Sequence, residues 1–146
     1  MDYRKINSAK EILAVVWKHF LLEDKPLSIV IDDEKIACRY RRSDGARCAV
    51  GVFIPDNEYD SSYENFNAKK VGERANKLGH VELSDFLSLH ATLLRDLQRI
   101  HDTAHTTRPN KEYFKEDLEW MIKNITYYTV EEVKELAERM LTNDLT

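Results

Sequence analysis

The chain predicts an α+β fold in which a small antiparallel sheet packs against four to five helices. Three observations predict it. Residues 36 to 54 read as two strand-like runs folded about Ser43-Asp44-Gly45, and Asp-Gly between such runs is a strong hairpin signal. Apolar residues recur at helical spacing in separate stretches on both sides of that hairpin. Strands and helices do not alternate along the chain, which argues against a doubly wound parallel sheet.

The elements follow in order. Ser8-Ala9-Lys10-Glu11 is a capping box. Behind it Ile12, Val15, Val16, His19 and Phe20 share one face, giving a helix over about residues 8 to 22 that ends before Pro26. Leu27-Ser28-Ile29-Val30-Ile31 is a candidate third strand, over about 27 to 31. The hairpin strands are placed near 36–42 and 47–54. The polar and aromatic stretch from Pro55 to Asn67 reads as a loop or a single helical turn. A modest helix over about 67 to 78 stops at Gly79. Phe86, Leu89, His90, Leu93, Leu94, Leu97, Ile100, His101 and Ala104 predict one long helix over about 84 to 105, closed before Pro109. Phe114, Leu118, Met121, Ile122 and Ile125 predict another, from about 110 to 125. Thr129-Val130-Glu131-Glu132 is a second capping box, opening a last helix on Val133, Leu136, Ala137, Met140 and Leu141.

At 146 residues the chain reads as a single domain, 1–146. A chain of this length buries about 70% of its unfolded surface, enough for a core without staples. Gly and Pro number only 4 and 3, which favours regular elements over disorder. The net charge of −4 offers no sequence-wide attraction to nucleic acid or anionic lipid. No apolar run is long enough for a membrane helix, and no secretory layout opens the chain. The expected compartment is the cytoplasm, where Cys38 and Cys48 are thiols rather than a disulfide.

Four groups of residues bear on chemistry. The first is Cys38 and Cys48, whose spacing does not fit the tight knuckle of a zinc site. A two-residue turn would put the two sulfurs on opposite faces of the hairpin; a three-residue turn would put them on the same face. Two small buried thiols is the reading preferred over metal or redox work. The second is His101-Asp102-Thr103-Ala104-His105, where His101 and His105 are spaced to meet at one point and His90 lies about three turns earlier. These are metal candidates together with the cysteines, zinc being the metal they suit, although a hydrogen-bonded core histidine is the plainer reading. The third is the acidic and aromatic run Asp56, Glu58, Tyr59, Asp60, Tyr63 and Glu64, read as a turn after Pro55 with Asp56 capping and Tyr59 packing on the sheet. The fourth is Arg39, Arg41, Arg42 and Arg47, either a solvated basic hairpin or a prong for an anion. Trp120, Tyr127 and Tyr128 are assigned to core and helix-joint packing.

The run Gly45-Ala46-Arg47-Cys48-Ala49-Val50-Gly51-Val52-Phe53-Ile54-Pro55-Asp56-Asn57-Glu58-Tyr59, with Cys38-x-Tyr40 before it and Leu97-Gln98-x-x-His101-Asp102 after it, resembles a family of small uncharacterised bacteriophage and bacterial proteins. Their pattern is G-x-x-C-A-V-G-x-x-I-P-D-x-x-Y followed by L-Q-x-x-H-D, and the likeness covers roughly residues 36–102. The resemblance implies a phage or prophage context rather than a mechanism. It also groups Cys48, Asp56, Tyr59, His101 and Asp102 as catalytic candidates.

The reading that results is a phage-type accessory protein, non-enzymatic, that binds a host macromolecule, for example to inhibit a defence or housekeeping system. Its expected partner is a host protein; membrane and nucleic acid are not expected, and a homodimer is compatible with the hairpin edge and the last helix. No cofactor is predicted beyond the zinc alternative. Two other readings stay open: a small metal-dependent hydrolase built on the Cys/Asp/His cluster, and a binder of a small anionic ligand such as a nucleotide.

Overall fold

Helix α1 (Ala9–Trp17) is apolar on every side from Ile12 onward. Ile12, Leu13, Ala14, Val15, Val16 and Trp17 are all buried, and a helix with no polar face needs neighbours on every side. Its start forms half of the expected capping box: Ser8 Oγ accepts from Glu11 N–H at 3.2 Å, while the Glu11 carboxylate accepts from Asn7 N–H at 3.1 Å rather than from Ser8 N–H. Beyond Trp17 the helix widens into a π-turn over Lys18–Leu22. The structure, a computed structural model, describes residues 1–32, 35–105 and 108–143.

The sheet has two antiparallel strands, β1 (Ile29–Asp32) and β2 (Lys35–Cys38), with Ile29 opposite Cys38. The α+β class therefore holds, but the hairpin lies earlier than expected. The candidate third strand supplies β1, and the expected first strand is cut short at Cys38. No second strand exists at 47–54. Ser43-Asp44-Gly45 does turn: Gly45 has φ +89, Arg42 N–H reaches Ala46 O at 2.9 Å, and the Asp44 carboxylate accepts Ala46 N–H. The segments on either side do not pair, because the carboxylate of Glu64 takes the backbone N–H groups of Tyr40 and Arg41 at 2.9 and 3.2 Å. A side chain thus replaces the strand partner. Residues 48–54 are buried throughout and coil into a short 3-10 turn, Gly51–Phe53. Gly51 is required there, since a Cβ at this position would sit 2.3 Å from the Tyr40 carbonyl oxygen.

Two more 3-10 turns follow, Asp56–Glu58 and Ser61–Tyr63. Helix α2 (Ala68–Lys77) is opened by Asn67, and Gly79 with φ +92 ends it. The predicted long helix is two helices, α3 (Val81–Leu89) and α4 (Ala91–Thr103), broken at His90. Phe86 packs on Tyr3 and Phe53, at ring distances of 5.3 and 5.6 Å, whereas His101 packs on Phe20 and Phe114. The two halves serve different parts of the core, and a straight helix would not reach both. Leu89, at the break, is exposed. Helices α5 (Lys111–Ile125), capped by Asn110, and α6 (Val130–Asn143), capped by Thr129, close the fold, which makes six α-helices among the described residues where four to five are predicted.

One contiguous core runs from Tyr3 to Met140. Phe20 and Phe114 meet at its middle with centroids 5.0 Å apart, and truncating either would cost about 3–5 kcal/mol. The N-terminus is pinned by Glu58, a buried carboxylate that accepts from Tyr3 Oη at 3.1 Å and Arg4 Nη2 at 3.0 Å. Among the described residues no helix is long and apolar enough to cross a membrane.

Candidate functional site

Cys38 ends β2, and His101 and Asp102 lie in the last turn of α4. Their ligand-type atoms fall within 4.8 Å of one another, the one such group among the described residues. His101 is fully buried, and the backbone N–H of Ser28 donates to its Nε2 at 3.0 Å. An amide can only donate, so Nε2 carries the lone pair and Nδ1 carries the proton. Nδ1 in turn donates to Asp102 Oδ1 at 3.0 Å. The same oxygen accepts from Gln98 Nε2 at 2.5 Å, and Gln98 Oε1 accepts the N–H of Val50 at 3.1 Å. A continuous chain of hydrogen bonds therefore ties Ser28, the residue before β1, to α4 and the 48–54 coil.

This chain limits what the cluster can do. A general base needs a free imidazole lone pair, and the only one on His101 is occupied by Ser28. A metal at Nδ1 would have to displace the proton given to Asp102, leaving an imidazolate, while the lone pair on Nε2 has no access. The thiols are no better placed. Burial, and then its hydrogen bond to Asp102, push the Cys38 thiol far above the ordinary cysteine range. Burial pushes Cys48 up to about 12, only partly offset by the N–H of Gly51 on its sulfur. Both stay protonated at neutral pH, and a protonated thiol is a poor nucleophile.

The remaining predicted residues are not brought to this cluster. Cys48 shares the neighbouring cleft but not the tight group. His90 stacks on Phe86 at 5.0 Å, on the far side of the helix break. His105 lies past the end of α4 and bridges Pro109. Asp56 does not cap a helix; it accepts from Arg41 at 2.8 Å and Arg47 at 3.0 Å. Tyr59 packs on Tyr63 and under the Arg41 guanidinium rather than on the sheet, and its hydroxyl donates to Glu64 at 2.6 Å. The four arginines do not form a prong. Arg41 is half-buried and also donates to the Ile54 carbonyl. Arg42 clamps Asp44 and the carbonyls of Leu27 and Ile29, which covers the outer edge of β1. Only Arg39 is left exposed.

An open cleft of about 610 Å³ lies directly beside the hydrogen-bonded chain. It is lined by the buried or partly buried Cys38, Cys48, Gln98 and Asp102 and by the exposed Phe66, Asn67, Arg95 and Arg99. Tyr40 is fixed beneath by a hydrogen bond from its hydroxyl to the Phe66 carbonyl. Arg95 and Arg99 are about two-thirds exposed and only loosely held, at 3.5 and 3.4 Å from Asp96. Phe66, Arg95 and Arg99 escape a sequence reading because they sit in no motif; the cleft exists only once α4 crosses the end of β2. Trp120 and Tyr127, assigned to packing from sequence, are exposed instead. Compared with known proteins, the chain matches no family model, no curated sequence and no solved structure.

Proposed function

We propose that this chain is a non-enzymatic accessory protein, of the phage type its central motif resembles, that binds a host protein through the cleft between β2 and α4. One observation carries the reading. Both ring nitrogens of His101 are engaged in hydrogen bonds and the Cys38 thiol is held protonated by burial, while the cleft beside them stands open. Such a site is built to be rigid and to be recognised rather than to turn over a substrate. Its exposed arginine pair suits an acidic segment of the partner, and Phe66 offers an apolar contact. The hydrolase alternative would require His101 to leave Ser28. The nucleotide alternative loses Arg41, Arg42 and Arg47 to carboxylates and carbonyls of the chain itself.

The test is affinity capture from bacterial lysate with three full-length baits: wild type, a cleft variant (Arg95→Glu with Phe66→Ala), and a variant outside the cleft (Lys115→Glu). A protein held by the first and third but not by the second supports the proposal. Equal retention by all three, or none from a range of hosts with all baits folded, overturns it.

A further inference from the structure

We infer that the partner enters the cleft as an extended, acidic segment that pairs with β2 as a third strand. This deepens the reading of the cleft as a protein-binding site and rests on it. The cleft runs along the outer edge of β2. Its lining includes both Ala37 and Cys38, which are consecutive in the strand and send their side chains to opposite faces. A cavity reached from both faces lies along an edge, and β1 occupies the other edge.

The register gives the groups that this edge presents. Arg39 N–H donates to Ser28 O at 3.0 Å, so Arg39 and, by alternation, Ala37 turn their N–H and C=O groups toward the β1 side. Ile36 and Cys38 turn theirs away from it. No hydrogen bond among the described residues reaches those outward groups. The outer edge of β1 is treated differently: Arg42 covers the carbonyls of Leu27 and Ile29. At Tyr40, the next outward position beyond Cys38, the carboxylate of Glu64 takes the N–H. Proteins blunt their exposed sheet edges, so an edge left open along a cleft is a template for a strand.

Two features choose the occupant. An extended backbone offers donors and acceptors at the spacing of the Ile36 and Cys38 groups. Arg95 and Arg99, exposed in the cleft lining and held only loosely by Asp96, select carboxylates on that segment. A second copy of this chain fits poorly. Antiparallel pairing of two β2 strands that sets Ile36 against Cys38 of the mate also sets Lys35 against Arg39, and like charges directly opposite are destabilising.

Selection from a random library of short linear peptides on the full-length wild type tests the inference. The expected binders carry carboxylates, weaken by at least about tenfold on Ile36→Pro, and hold to Ile36→Ala as to wild type. Proline at 36 removes an N–H that faces away from β1, so the hairpin keeps its own bonds while a peptide carbonyl is stranded. In the wild-type complex the amides of Ile36 and Cys38 exchange with solvent at least about tenfold more slowly than in the free protein. That measurement needs no variant, and it decides the matter if Ile36→Pro does not fold. The absence of any binder overturns the inference, as do equal losses on Ile36→Pro and Ile36→Ala, or Ile36 and Cys38 amides left unprotected. Binders that ignore Ile36→Pro but are lost with Arg95→Glu and Phe66→Ala overturn the strand and leave the cleft reading standing. Binders that ignore both sites overturn the strand and count against the cleft as well.

Discussion

The backbone N–H of Ser28 points at Nε2 of His101 from 3.0 Å, and this single contact fixes which nitrogen of the imidazole bears the proton. It joins the residue before β1 to α4 and sets the direction of the hydrogen bonds that continue through Asp102 and Gln98. His101→Phe keeps an aromatic of similar size in the core beside Phe20 but strands the buried Ser28 N–H and takes one of the two donors from Asp102 Oδ1, which keeps Gln98. Leaving that buried amide unpaired is expected to destabilise the protein by about 1–3 kcal/mol. The urea midpoint should fall accordingly. A variant as stable as wild type would show that the chain of hydrogen bonds carries no weight.

The thiol of Cys38 is held protonated by burial and by the Asp102 carboxylate. In the native protein both cysteines should react with a disulfide reagent at pH 8 far more slowly than in denaturant. Asp102→Asn removes the negative charge that raises the Cys38 pKa, so it should speed the native reaction at that residue while leaving Cys48 slow. Rapid reaction in the wild type would contradict the assignment.

Gly51 sits against the Tyr40 carbonyl so closely that no Cβ fits without moving backbone. Gly51→Ala should destabilise by about 1–3 kcal/mol, the usual range for forced overpacking. Gly45→Ala meets nothing within 4 Å but pays for its φ of +89, so it should be milder, at about 1 kcal/mol. Chemical denaturation of the two variants side by side checks the order.

His19 is surrounded by Lys18, Lys25, Arg47 and Lys111, and its Nε2 is buried without a hydrogen-bond partner among the described residues. Burial first, then these cations, lower its pKa to about 4 from the ordinary value of 6.5. The unfolded chain therefore binds the proton more readily than the native one. Stability from this group is complete above pH 6.5 and is lost as the pH falls toward 4, to a total of up to about 3 kcal/mol. Over that window His19→Phe should lose less stability than wild type. Parallel curves for the two proteins would count against this role.

The helical part of this fold was legible because its signals are local. At both predicted capping boxes the Ser8 and Thr129 hydroxyls accept the backbone N–H three residues on, and Gly79 ends α2 in the left-handed conformation. The hairpin was misplaced because its Asp-Gly turn is real but its flanks are claimed by a distant residue, Glu64. The break at His90 has no glycine or proline to announce it; it arises from where Phe86 and His101 must each pack. Cys38, His101 and Asp102 were each singled out from sequence, and they do meet. What sequence could not supply was Ser28, whose backbone amide decides what the meeting can do.

The most direct measurement is a long-range ¹H–¹⁵N spectrum of the histidine rings in the native protein at neutral pH, recorded before and after addition of zinc. The account predicts that His101 shows the tautomer protonated at Nδ1, unchanged by the metal. A proton on Nε2, or a His101 resonance that shifts in proportion to added zinc, would contradict it and return the cluster to chemistry.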